Sequence, residues 1–139
     1  MDRPMAFSTS IIVRFGDCDP AGIVYFATLL HYCEVAFEDC WAGPLGKSYP
    51  DLIRRDHVGF PAVRVESDFV SPARHGDRIE MRVWVSRLGT SSVVFEYEGI
   101  VGERRVFRAA LTRVCTDLRA MKAVPIPDWM RTRMLELGA

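Results

Sequence analysis

The chain has 139 residues and a mass of 15.8 kDa, the size of one domain, with room for a real core but not for a second domain. Lys plus Arg and Asp plus Glu each number 18, and a formal net charge of zero removes the electrostatic case for nucleic acid or an anionic membrane as the main partner. No basic-then-apolar leader opens the sequence and no apolar run nears the roughly 18 residues that span a bilayer, so a soluble, cytoplasmic protein is expected. Cys18, Cys33, Cys40 and Cys115 have no C-x-x-C spacing and read as free thiols. His31, His57 and His75 match no metal-pairing spacing, so no metal site is expected.

Taken in order, residues 8–15 form a β-branched, aromatic-ended run and a first strand, followed by a loop rich in acids and glycine. From about 27 to 41 the apolar residues fall at helical spacing, with Leu30, Cys33, Phe37 and Trp41 on one stripe and His31, Glu34 and Glu38 on another. Gly43 and Pro44 end that helix, and residues 49–56 make a short second one. In the next strand Val63, Val65 and Phe69 alternate with Arg64, Glu66 and Asp68, the pattern of a strand with one buried face. Residues 79–86 and 93–100 alternate likewise and pair as a hairpin across the turn at 88–92. Residues 106–118 form a fifth strand, apolar on both faces in its middle, which calls for a central place in the sheet or for cover by another subunit. Pro125 to Pro127 lead into a closing helix with Ile126, Trp129, Met130 and Met134 on one side. Strand, long helix and then four consecutive strands predict an α+β domain over 1–139, an antiparallel β-sheet around one long helix.

The loop between the first strand and the long helix reads Phe15-Gly-Asp17-Cys18-Asp19-Pro20-Ala21-Gly22-Ile23-Val24-Tyr25-Phe26 and places two carboxylates at a strand-to-helix junction. The first N–H groups of a helix are unpaired and carry the positive end of its dipole, so such a junction suits a developing oxyanion, as acyl transfer requires. Asp19-Pro20 alone is also what an ordinary helix N-cap looks like. Cys18 lies between two acids with no histidine beside it in sequence, a setting that disfavours a thiolate nucleophile.

The ten residues Asp17 to Phe26 resemble the signature of the 4-hydroxybenzoyl-CoA thioesterase family of hotdog-fold proteins, and the likeness extends more loosely over most of the chain. The resemblance implies a hotdog fold, an antiparallel sheet wrapped around one long central helix, and hydrolysis of an aromatic (4-hydroxybenzoyl- or benzoyl-like) or short-chain acyl-CoA. Asp19 would be the catalytic nucleophile or general base, and backbone N–H groups near Tyr25 and Phe26 would bind the carbonyl. Glu34 would face the acyl ring. Phe60, Pro61 and Ala62 would hold the pantetheine arm, and Gly89, Thr90 and Ser91 would lie near the nucleotide. Coenzyme A is then part of the substrate and no separate cofactor is expected; the family also implies a homo-oligomer, dimer or tetramer. Where some relatives carry histidine after the motif tyrosine this chain has Phe26, and where the family enzyme has a basic cluster it has neutral Gly89-Thr90-Ser91 beside Arg87, leaving Arg54, Arg55 or Arg74 for phosphate. An acyl carrier protein in place of CoA, or a non-catalytic acyl-CoA-binding role, are the alternatives. Tyr25, Phe26, Tyr32 and Phe37 are expected to offer flat walls for an aromatic acyl group, and Asp17 is expected to bond backbone N–H groups rather than substrate.

Overall fold

The structure, a computed structural model, describes residues 6–138. Its five-stranded sheet is built from β1 (Phe7–Ile12), β3 (Ala62–Phe69), β4 (Arg78–Leu88), β5 (Ser92–Val101) and β6 (Arg104–Val114), in the order β1-β4-β5-β6-β3. Every neighbouring pair is antiparallel. A second sheet joins the two-residue strands β2 (Val58–Gly59), β7 (Thr116–Asp117) and β8 (Lys122–Ala123). The helices are α1 (Phe26–Ala42), α2 (Tyr49–Asp56) and α3 (Asp128–Glu136).

Period-two alternation turns Ile79, Met81, Val83 and Val85 of β4, and Val93, Phe95 and Tyr97 of β5, to one face of the sheet, where all are buried. Onto that face α1 lays Leu29, Cys33, Ala36, Phe37, Cys40 and Trp41, each 5 % exposed or less. Each large side chain so buried contributes about 1.5–3 kcal/mol relative to exposure, and this packing holds the helix in place. The helix runs one residue beyond the expected bounds at each end and stops at Gly43. The short helix forms as expected over Tyr49–Asp56, with the Ser48 hydroxyl accepting the Asp51 N–H.

Three expectations are corrected. The alternating strand β3 is not buried on one face: it is a sheet edge, with Val63, Val65 and Phe69 exposed to 62 %, 49 % and 49 %. Residues 106–118 do not make one strand. β6 ends at Val114, Cys115 gives its N–H to the Ser91 carbonyl (2.8 Å), and Thr116 and Asp117 leave the main sheet to pair with β2. The apolar middle of β6 follows from its place between β5 and β3. In α3, Met130 and Met134 are buried whereas Trp129 is 41 % exposed and meets the Trp41 ring edge-on at 6.5 Å.

Candidate active site

The chain leaves β1 through Val13, which is pinned by N–H donation to the Asp77 carbonyl (2.9 Å) and accepts the Gly76 N–H (3.0 Å). Residues Phe15–Asp17 make a single 3₁₀ turn. The Asp17 carboxylate accepts the Tyr32 hydroxyl (2.6 Å) and the Arg14 N–H (3.0 Å) through the same oxygen. Burial alone would raise the Asp17 carboxyl above its ordinary pKa, but these donors, with the nearby His31 and Arg14 charges, outweigh it and hold it below. Burial and the facing carboxylate push the Tyr32 phenol up in turn. Asp17 thus accepts a backbone N–H, as expected, and in addition the hydroxyl of Tyr32, which was not expected.

Asp19 follows in a tight loop. Its N–H donates to the Ile23 carbonyl (2.9 Å), its carbonyl accepts the Gly22 N–H (2.9 Å), and its side-chain Oδ1 accepts the Ala21 N–H (2.9 Å). Gly22 has φ +83°, which explains glycine there, and a Cβ at that point would meet nothing within 4 Å. The N-cap of α1 is Tyr25, so Asp19 does not cap the long helix.

Asp19 lines an open groove of about 500 Å³ together with residues 23–26, Leu29 and residues 69–73. One wall is the first turn of α1, where the Tyr25 and Phe26 rings lie 4.9 Å apart and Phe26 meets Phe69 edge-on at 5.9 Å. The other wall is fastened to the rest of the chain. Val70 and Ser71 N–H groups donate to the Val106 carbonyl, Ser71 Oγ donates to the Arg105 carbonyl (2.6 Å), and the Ala73 carbonyl accepts the Val24 N–H (2.8 Å). Tyr25 gives its own N–H to the Asp17 carbonyl (3.1 Å), which corrects its expected part as a carbonyl donor. The Phe26 and Ala27 N–H groups meet no acceptor among the described residues, as befits the first turn of a helix. The groove therefore pairs a carboxylate with an uncommitted helix N-terminus between apolar walls, the two components that attack on an activated carbonyl requires.

The remaining expected site residues lie elsewhere in this chain. Tyr32 and Phe37 are 3 % and 0 % exposed and form core rather than groove walls; the groove walls instead include Leu29, Phe69, Val70 and Pro72, none of which was expected at the site. Glu34 does not line its own groove. Its carboxylate pairs at 2.9 Å with Arg113, a buried cation on β6, whose charge inside an apolar strand is a sequence signal for a buried acidic partner. Phe60 is fully buried, giving its N–H to the Tyr49 hydroxyl (2.7 Å) while its carbonyl accepts from Arg113 (3.0 Å), so it has no surface for pantetheine. Pro61 and Ala62 are exposed at the start of β3. Gly89, Thr90 and Ser91 share that end of the sheet, and their carbonyls accept from Arg131, Ile126 and Cys115. The groove sits at the Phe69 end of β3, eight residues and about 25 Å away at the usual strand rise.

The family described as the thioesterase-like superfamily matches residues 13–134. The chain is 31 % identical over 132 residues to a 1,4-dihydroxy-2-naphthoyl-CoA hydrolase of Nostoc punctiforme, covering 92 % of this chain and 88 % of that one. Among solved structures it superposes on a thioesterase superfamily protein of Jannaschia with a TM-score of 0.90 and 33 % identity, over 96 % of this chain and 93 % of the other. It also superposes on a 1,4-dihydroxy-2-naphthoyl-CoA thioesterase of Synechocystis with a TM-score of 0.85 and 27 % identity, over 96 % and 98 %. With a carboxylate and a helix N-terminus meeting in one groove, and with these likenesses running nearly end to end, the chain belongs to the thioesterase-like superfamily as a hotdog-fold thioester hydrolase.

Proposed function

We propose that the protein hydrolyses the thioester of an aromatic or otherwise compact acyl-CoA to the free acid and CoA, with Asp19 as the acting carboxylate and the Phe26 N–H as the carbonyl donor. The observation that carries this reading is that Asp19 and the uncommitted first turn of α1 line one apolar groove. A carbonyl oxygen seated at that N-terminus gains charge where the helix dipole favours it. Asp19 then attacks the carbonyl carbon, expelling the CoA thiolate and leaving an anhydride that water opens, or it takes a proton from the attacking water. The relatives are named for dihydroxynaphthoyl thioesters, and the Tyr25, Phe26 and Phe69 rings agree with an aromatic guest. Thiol release should be measured on dihydroxynaphthoyl-, 4-hydroxybenzoyl-, benzoyl-, short aliphatic and palmitoyl-CoA. An aromatic kcat/KM at least about tenfold above that of palmitoyl-CoA is expected; palmitoyl-CoA in the lead overturns the acyl class, and binding without thiol release overturns hydrolysis.

The same reading includes a homo-oligomer. β3 presents an unpaired edge with exposed Val63, Val65, Phe69 and Val70 beside the groove, a surface that isolated chains seldom leave open. Antiparallel pairing of two β3 edges would set the Pro61, Ala62 and 89–91 end of one copy against the Phe69 end of the other, next to its groove, so that those residues would serve CoA across the interface. Light scattering at micromolar concentration is expected to give a mass well above 15.8 kDa, and Val65→Lys to lower it; a wild-type mass of 15.8 kDa would sink the assembly.

A further inference from the structure

We infer that Tyr32 is a positioning residue for the hydrolytic site, acting through Asp17 on the placement of Asp19 against the start of α1. The inference rests on the Asp19 reading above. Tyr32 is 3 % exposed, almost two turns into α1, and its hydroxyl donates to Asp17 at 2.6 Å. A tyrosine in a helix core needs a partner for its hydroxyl, but this partner sits on the motif loop, two residues before Asp19. Asp17 therefore grips α1 twice: its side chain holds Tyr32, and its carbonyl holds the Tyr25 N–H (3.1 Å) at the helix N-cap.

The consequence is geometric. Asp19 reaches the rest of the molecule through its own five-residue loop, closed by its N–H to the Ile23 carbonyl, and through Cys18, which bridges to Val24. These contacts and the Asp17–Tyr25 bond tie the loop to the N-cap alone. The Asp17–Tyr32 bond adds a second point of attachment, because it spans from the loop to the second turn of the helix whose first turn supplies the Phe26 N–H. A charge-assisted bond is also the stronger kind, and burial of Tyr32 keeps water from replacing it. Displacements of about 1 Å in a reacting group can cost about a hundredfold in rate, so losing this strut weighs on turnover more than on binding.

The test is a cycle on the full-length protein, with kcat and KM taken on the best substrate of the acyl-CoA panel and normalised to folded protein. Tyr32→Phe is expected to lower kcat about tenfold with KM changed less than about twofold. Asp17→Ala should do the same, and the double variant Tyr32→Phe with Asp17→Ala should be no worse than either alone, because both remove one strut. Asp17→Asn, whose amide oxygen accepts both donors, should recover most of the loss seen with Ala. A purely structural role would lower the thermal midpoint and leave kcat of the folded enzyme untouched, and that result overturns the inference. So do multiplicative losses in the double variant, or an Asp17→Asn protein as inactive as Asp19→Asn, which would make Asp17 itself the acting acid. If Asp19→Asn hydrolyses thioesters normally, the reading beneath falls regardless of Tyr32; if Asp19→Asn is inactive and Tyr32→Phe is normal, the positioning role alone falls.

Discussion

Asp19→Asn is expected to lower kcat at least about a hundredfold while acyl-CoA binding and the thermal midpoint stay near wild type. Asparagine keeps the size of the side chain and keeps the bond that the carboxylate makes among the described residues, acceptance of the Ala21 N–H. What it loses is the charge, and with it both nucleophilicity towards a thioester and basicity towards water. The rival account, that Asp19 caps a helix, would leave both rate and stability intact, since Asn and Asp are near-equal caps. That account already lacks its helix, because α1 begins seven residues later behind Tyr25. The companion substitution is Phe26→Pro. Proline is tolerated at the first helical position, and Tyr25, at φ −64° and ψ 137°, already has the backbone that a residue before proline prefers. It removes the N–H donor while sparing the helix, so kcat should fall about a hundredfold, with Phe26→Ala as the control for the lost ring. Full activity in Asp19→Asn with an unchanged midpoint ends the Asp19 mechanism.

The second large effect concerns stability. Glu34→Ala is expected to destabilise the fold by about 3 kcal/mol, on the order of 10 °C in midpoint for a domain of this size. Arg113 is 3 % exposed, and its guanidinium is met by Glu34 (2.9 Å), the Phe60 carbonyl (3.0 Å) and the Phe37 ring face at 3.6 Å. Removing Glu34 takes away the carboxylate bonded to this buried cation and leaves it the Phe60 carbonyl, the Phe37 ring, the Tyr97 hydroxyl and the more distant Glu38 charge. The figure is placed at the lower end of the range for broken buried pairs because the Glu34 side chain is 40 % exposed and water can partly replace it. Arg113→Met should cost less, about 1 kcal/mol, because it removes the buried charge together with the need for its partner and frees Glu34 to water. Denaturant unfolding of both variants checks the order; an Arg113→Met protein less stable than Glu34→Ala would refute it.

Much of the molecule is legible locally. The helical spacing from Leu29 to Trp41, the short helix over 49–56, the Gly43 stop and the alternation in β4 and β5 are each contained within a few residues, and each element formed within a residue or two of its expected bounds. The motif from Asp17 to Phe26 is equally compact, so the place of Asp19 and of the helix start is legible in those ten residues alone. Other assignments depended on partners far along the chain. Arg113 finds Glu34 across 79 residues, and the second wall of the groove, 69–73, is held by bonds to Val106, Arg105 and Val24. The same alternation describes a buried strand and an edge strand, so β3 could be recognised as exposed only when the sheet order was known. Tyr32 and Phe37 share their aromatic chemistry with Tyr25 and Phe26, yet the first pair is core and the second is wall. The amino-acid sequence by itself determined the two helices α1 and α2, the alternating strands β4 and β5 and the place of Asp19 just ahead of a helix start, because those follow from backbone preferences and short-range bonds. The tertiary structure alone decided which polar groups are spent on the fold and which remain for a substrate, because burial and hydrogen-bond partners are properties of the packed chain and not of any stretch of it.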